Sequence, residues 1–130
     1  MSLVALLAGL AIAPADTAHL VLVASTDLHG TATDWNYVQN LPWPGGLARA
    51  AAVIDSLRQL YPGQVVVVDA GDALAGNAFA AYYGRVGKRT PHPVVEAMSL
   101  AGYDVATPGE REFDFGLDRF NQAVSGATFR

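Results

Sequence analysis

The chain contains no cysteine. That excludes disulfides, thiolate metal ligands and a cysteine nucleophile, and it leaves the redox compartment open. Any metal must be held by Asp, Glu, His or Asn, a donor set that suits Mn, Fe, Zn or Mg and fits no iron–sulfur cluster. Positive charge is also scarce: 8 Lys and Arg stand against 12 Asp and Glu, a net charge of -4. No basic field exists to meet phosphate backbones, so no nucleic-acid partner is expected. Internal repeats and low-complexity linkers are missing too. What is present is an apolar chain, 52% hydrophobic over 130 residues, long enough to bury a core and short enough for one domain at most.

Lys and Arg are likewise absent ahead of the first apolar run, Ser2 to Ala13. That run is too short to cross a membrane and has the length of the apolar core of a secretion signal. Ala13-Pro14-Ala15 supplies an A-x-A cleavage site before Asp16, although a signal normally opens with positive charge. Residues 1–15 are read as a signal peptide, the protein as exported (periplasmic or secreted), and no stable membrane span is expected. A buried first helix or an uncleaved anchor is the alternative.

From residue 16 onward the apolar pattern alternates between two periods. His19 to Ala24 reads as a short buried strand around Leu20, Val21, Leu22 and Val23. After a polar loop containing Trp35, Tyr37 and Trp43, the residues Leu47, Ala50, Ala51, Ile54, Leu57 and Tyr61 repeat at helical spacing, with Arg49, Asp55 and Arg58 outside the stripe. Tyr61-Pro62-Gly63 ends that helix. Val65 to Val68 is a β-branched run typical of a central strand covered on both faces. The Ala- and Gly-rich segment from Asp72 to Arg89 gives no clear period. Pro93 opens a helix that buries Val94, Ala97, Met98 and Ala101, and Gly102 caps it. Tyr103 to Thr107 reads as a third strand. Leu117, Phe120 and Val124 space a further helix closed by Gly126, and Thr128-Phe129-Arg130 looks like the opening of another strand. The order β-α-β-α-β-α-(β) predicts an α/β fold with a largely parallel sheet.

Three loops directly follow the strand-like runs, and in open α/β sheets the carboxyl ends of strands form the binding crevice. The first carries Asp27 and His29, whose alternate positions in an extended loop project to one side. Such a pair gives one cation an oxygen and a nitrogen ligand. Asp72 arrives from the second strand end and Glu110 from the third. Each signal alone is weak, since an Asp after a strand is more often a helix cap or turn residue, and a His beside Gly is usually a loop residue. The combination is far more specific. Trp35, Tyr37 and Trp43 either line the mouth of this site or pack the long loop down.

Thr26-Asp27-Leu28-His29-Gly30, Gly45-Gly46-Leu47-Ala48-Arg49, Asp69-Ala70-Gly71-Asp72, Gly102-Tyr103-Asp104 and Gly109-x-x-Glu112-Phe113-Asp114-Phe115-Gly116 occur in this order. Together they resemble the N-terminal part of the 5'-nucleotidase branch of the calcineurin-like metallophosphoesterases. The Thr-Asp-Leu-His-Gly form, Asp34, Tyr37 and His92-Pro93-Val94 lean toward the 2',3'-cyclic-nucleotide 2'-phosphodiesterase/3'-nucleotidase members. The resemblance implies an α-β-β-α sandwich, incomplete in this chain, with residues 16–130 as its N-terminal part. It also implies two divalent metal ions (Mn, Fe or Zn), not fully held by this chain, and a nucleotide or other phosphoester substrate. By the same resemblance Asp27 and His29 match ligands of the first metal, Asp72 the carboxylate bridging both, and Glu110 the position of an asparagine ligand to the second. Arg111 stands where the family has a histidine that works with the transferring phosphoryl group, and Asp114 matches the aspartate that orients it. The family's later histidine ligands would lie beyond Arg130.

Two departures bear on function. Glu110 can still ligate Mn, Fe or Zn, but its added negative charge weakens the attraction for an anionic phosphate. Arg111 cannot release a proton near neutral pH, and losing a positioned acid typically costs roughly 10²–10⁴-fold in rate. It can still bind phosphate oxygens bidentately. The expected function is therefore a metal-dependent phosphoester hydrolase as part of a longer chain. The alternative is a catalytically impaired binding or structural module within a larger assembly, and a third reading makes Glu110 and Arg111 mere charge partners or loop residues. The chain alone should show no appreciable phosphodiesterase activity. Its uncovered sheet edges and helix faces call for the remainder of the catalytic domain or a partner chain.

Overall fold

A computed structural model describes residues 17–130. The signal peptide expected at residues 1–15 lies outside them. In chain order the elements are β1 (Val21–Ser25), β2 (Trp35–Asn36), β3 (Leu41–Pro42), α1 (Leu47–Leu60), β4 (Val65–Asp69), α2 (Ala78–Arg85), α3 (Pro93–Ala101), β5 (Val105–Ala106) and α4 (Leu117–Val124), with a 3₁₀ turn at Arg111–Phe113. The sheet runs β1-β4-β5 and is wholly parallel, with Val21 beside Val65, Ser25 beside Asp69, and Asp69 beside Ala106. β2 and β3 form a separate small antiparallel hairpin. The expected strand opening at residues 128–130 is present as backbone bonding alongside β5: Ala106 N–H donates to Arg130 O at 2.6 Å, and Arg130 N–H donates to Asp104 O at 3.1 Å.

Side chains alternate across a strand, so Val23, Val65, Val67 and Ala106 share one face. Helices α1 and α3 cover that face, and Leu47, Ile54, Val94, Val95, Met98, Ala101 and Tyr103 complete the core. The other face carries Leu22, Ala24, Val66, Val68 and Val105. Here the sequence expectation needs correcting: Leu20 and Leu22 are 68% and 63% exposed, so β1 is not a buried strand. β4 is central, as expected, but only Val67 and Asp69 are fully buried; its second face is half-covered. A continuous β-branched run reads the same whether one face or two are covered, because period-2 contrast is lost when both faces are apolar. The chain thus supplies one helix layer on one sheet layer.

Local chemistry sets the helix ends. Pro93 occupies the first turn of α3, the Nδ1 of His92 accepts the Val94 N–H at 3.2 Å, and Gly102 ends the helix in the left-handed region at φ 75. Arg58, outside the apolar stripe of α1, reaches across to α3. Its Nη1 donates to Ala101 O at 3.1 Å and its Nη2 to Gly102 O, satisfying the last carbonyls of α3. The unreadable segment after Asp72 contains α2, where the Asn77 side chain accepts the Ala80 N–H at 2.8 Å. Among the described residues no helix is long and apolar enough to cross a membrane.

Candidate functional site

The parallel ladder continues past the ends of β1 and β4. Asp27 N–H donates to Gly71 O at 3.0 Å, His29 N–H to Asp72 O at 2.9 Å and Gly30 N–H to Ala73 O at 2.8 Å. These bonds hold the two strand-end loops side by side. Asp27, His29 and Asp72 all have positive φ, at 55, 47 and 59; Asn40 is the remaining non-glycine residue of this kind among the described residues. Left-handed backbone at non-glycine residues costs of order 1–3 kcal/mol each and concentrates where surrounding structure requires it. Three of the four expected metal ligands share this conformation, a property that sequence reading did not foresee.

His29 Nδ1 lies 3.2 Å from Ala75 O, which can only accept, so that nitrogen carries the proton. Its Nε2, the lone-pair nitrogen of the neutral ring, stands 3.5 Å from Asp27 Oδ1. Gly76 permits this placement, because a methyl group there would sit 2.5 Å from His29 Cβ. Asp27 Oδ2 accepts the Thr26 hydroxyl at 2.7 Å, leaving Oδ1 directed at the imidazole. Two donors about 2.1 Å from a common cation stand roughly 3.0–3.5 Å apart at ordinary coordination angles. The pair fits one cation.

Asp72 is placed differently. Its Oδ1 accepts the Arg111 N–H at 3.0 Å, which ties the second loop to the third. Glu110 is exposed at the head of the 3₁₀ turn. Arg111 and Asp114 are half-exposed, with Nη1 4.0 Å from Asp114 Oδ2. Arg111 thus stands as a charge partner of the acid expected to orient a histidine. Among the described residues no three His, Asp or Glu side chains converge closely enough to hold one metal ion. The structure brings together Asp27 and His29, sets Asp72 in the adjoining loop, and leaves Glu110 at the rim.

Beneath these loops lies a polar network that the sequence reading missed. Asp69, 3% exposed, accepts the Ser25 hydroxyl at 2.5 Å and the Gly71 N–H at 2.9 Å. Ser25 has one proton and gives it to Asp69, so Tyr103 OH donates to Ser25 Oγ at 2.9 Å. Burial pushes the Asp69 carboxyl above its ordinary value, partly offset by the Ser25 and Gly71 hydrogen bonds. Burial also raises the Tyr103 phenol. The available signal was an acid ending the run Val65–Asp69, where no water is left to solvate it.

Beside the His29 loop a cavity of about 450 Å³ is lined by Trp35, Tyr37, Trp43, Phe79, Thr31 and Asn77. Trp35, Tyr37 and Trp43 are 38%, 77% and 43% exposed at its walls.

A parallel sheet with this loop arrangement defines the class: the chain has the fold of the calcineurin-like phosphoesterases and corresponds to the N-terminal part of that domain. No family model matches the chain. It is 33% identical over 118 residues to the trifunctional nucleotide phosphoesterase protein YfkN of Bacillus subtilis, covering 85% of this chain and 8% of that protein. It is 35% identical over 120 residues to the 2',3'-cyclic-nucleotide 2'-phosphodiesterase/3'-nucleotidase of Yersinia enterocolitica, covering 90% of this chain and 18% of that one. The chain therefore spans less than a fifth of either relative. The crystal structure of the calcineurin-like phosphoesterase YfkN matches with a TM-score of 0.75 at 34% identity, over 85% of this chain and 35% of that one. The Haemophilus influenzae NAD nucleotidase shares the fold at a TM-score of 0.65 and 21% identity, over 85% of this chain and 19% of its own.

Proposed function

We propose that this chain forms part of the catalytic domain of a metal-dependent phosphoester hydrolase of the nucleotidase or cyclic-nucleotide phosphodiesterase type. One observation carries the reading: Asp27 Oδ1 and Nε2 of His29 face each other at 3.5 Å, on the strand end next to Asp72. The relatives' names supply the substrate class, phosphoesters of nucleotides. In this reading Asp27 and His29 hold the first divalent cation, Asp72 bridges to the second, and Glu110 serves the second from the rim; Mn, Fe or Zn suits these donors. When bound, such a pair of ions activates a water and neutralises charge developing on phosphoryl oxygens. Arg111 binds those oxygens through its guanidinium, with Asp114 restraining the side chain. The aromatic cavity beside Gly30 and Thr31 receives the planar organic part of the substrate.

The exposed sheet face, with Leu22 and Val105, is where the remainder of the domain or a partner chain completes the sandwich. Residues 1–15 direct the protein to export. The test is hydrolysis of 2',3'-cyclic AMP and 3'-AMP by the full natural protein that carries this chain, with Mn²⁺ supplied. Turnover that disappears on Asp27→Ala, together with loss of bound metal, supports the reading. A metal-free protein inert toward both substrates sinks it and leaves the binding-module alternative.

A further inference from the structure

Glu112 is 5% exposed and makes no ion pair among the described residues. A buried carboxylate left bare is strongly unfavourable. This one is surrounded by backbone donors. Its Oε2 accepts Asp72 N–H at 2.9 Å and Gly109 N–H at 2.6 Å; its Oε1 accepts Ala73 N–H at 2.6 Å and Leu74 N–H at 3.0 Å. Four N–H groups from two separate loops thus converge on one side chain. Charge-assisted bonds of this kind are about twice as strong as neutral ones.

The clamp acts on Asp72 from several sides. Glu112 takes the Asp72 N–H, while the Asp72 carbonyl accepts from His29 N–H at 2.9 Å. The peptide is therefore pinned at both ends in its left-handed conformation. The same Oε2 draws in Gly109, which has no side chain to obstruct it: a methyl group at Gly109 would overlap Asp72 Oδ1, and one at Gly71 would lie 2.5 Å from Gly109 N. With the loops this close, Arg111 N–H reaches Asp72 Oδ1 at 3.0 Å. The direction of the Asp72 carboxylate thus depends on a backbone donor two residues beyond Gly109.

We propose that Glu112 is the positioning residue of this site: its carboxylate fixes the second and third strand-end loops to one another and thereby aims Asp72. Its importance for metal rests on the functional reading above; the positioning itself does not. Glutamine cannot substitute, because its NH₂ is a donor and would face two of the four N–H groups. Aspartate keeps the charge but falls one methylene short of the donors.

The experiment uses the full chain, ¹⁵N-labelled. The Arg111 amide, held by Asp72 Oδ1, should exchange slowly with solvent, and Asp72→Ala should speed that exchange. In Glu112→Gln the core amides of β4 stay protected while the Arg111 amide exchanges faster. Mn²⁺ affinity, read by calorimetry, falls by roughly 10–100-fold, as for loss of a supporting partner, and the losses from Glu112→Gln and Asp72→Ala are less than additive. An Arg111 amide that exchanges as in the unaltered chain, within a folded Glu112→Gln protein, overturns the proposal. If Glu112→Gln does not fold, Glu112→Asp is judged by the same amide: faster exchange supports positioning, unchanged exchange refutes it. Failure of the unaltered chain to bind Mn²⁺, with the amide behaving as stated, counts against the functional reading alone.

Discussion

His29 donates its Nδ1 proton to Ala75 O at 3.2 Å, and this bond decides which nitrogen faces Asp27. Fixing the tautomer through the far ring nitrogen is the usual way an imidazole is readied for a cation. It also makes the second loop a supporting element of the first loop's ligand pair.

Mn²⁺ binding to the full chain should therefore depend on both loops. Asp27→Ala and His29→Ala are each expected to weaken it by more than the roughly 10–100-fold typical of losing a supporting partner. Gly76→Ala, which crowds His29 Cβ, should cost part of that effect without removing a donor. Calorimetric titration of the three variants checks the order, and equal affinity in all of them rules the pair out as a metal position.

In the proposed function Arg111 stands where the resembled family has a histidine that works with the phosphoryl group. Arg111→His in the full natural protein is expected to raise phosphodiester turnover, up to the roughly 10²–10⁴-fold attributed to one positioned acid. Rates for a chromogenic phosphodiester under saturating Mn²⁺ provide the measurement. A fall in rate would mean that the guanidinium itself stabilises the reacting phosphoryl group.

His92 gives the fold a defined acid sensitivity. Burial pushes its imidazole below its ordinary value of 6.5, offset in part by the Ala80 backbone. As pH falls below 6.5, the unfolded chain takes up a proton that the folded chain resists, so stability is lost toward acid. His92→Asn keeps a side-chain acceptor for Val94 N–H and should flatten urea stability in that window, by at most about 1.4 kcal/mol per pH unit. An unchanged slope would assign the acid loss to other groups.

The two sheet faces should respond in opposite ways in the isolated chain. Ile54→Ala, at 1% exposure, is expected to cost about 2–5 kcal/mol. Leu22→Lys, on the open face, should stay within about 0.5 kcal/mol. Denaturant midpoints decide this, and a large Leu22 effect would show that the face is covered in solution.

The alternation of strand and helix, the Pro93 start and Gly102 stop of α3, and the central place of β4 were all legible, because each depends on local chemistry and period. So were Asp27, His29 and Asp72 as strand-end residues. Leu22 misled because an apolar run carries no record of what lies over it, and α2 was hidden because alanine and glycine leave no stripe. Arg58 falls outside the apolar stripe, and nothing in that spacing shows that its long side chain reaches the carbonyls of α3.

By itself the sequence determined the family resemblance, the donor types available to a metal, and the order of the loops, since these follow from residue identity and spacing along the chain. Only the tertiary structure decided that His29 turns its Nε2 toward Asp27, that Asp72 is held by Arg111 N–H, and that Glu112 joins two loops through four backbone donors. The physical reason is that hydrogen-bond partners are chosen by proximity in space: Asp72 and Glu112 are 40 positions apart, and nothing local to either residue specifies that they meet.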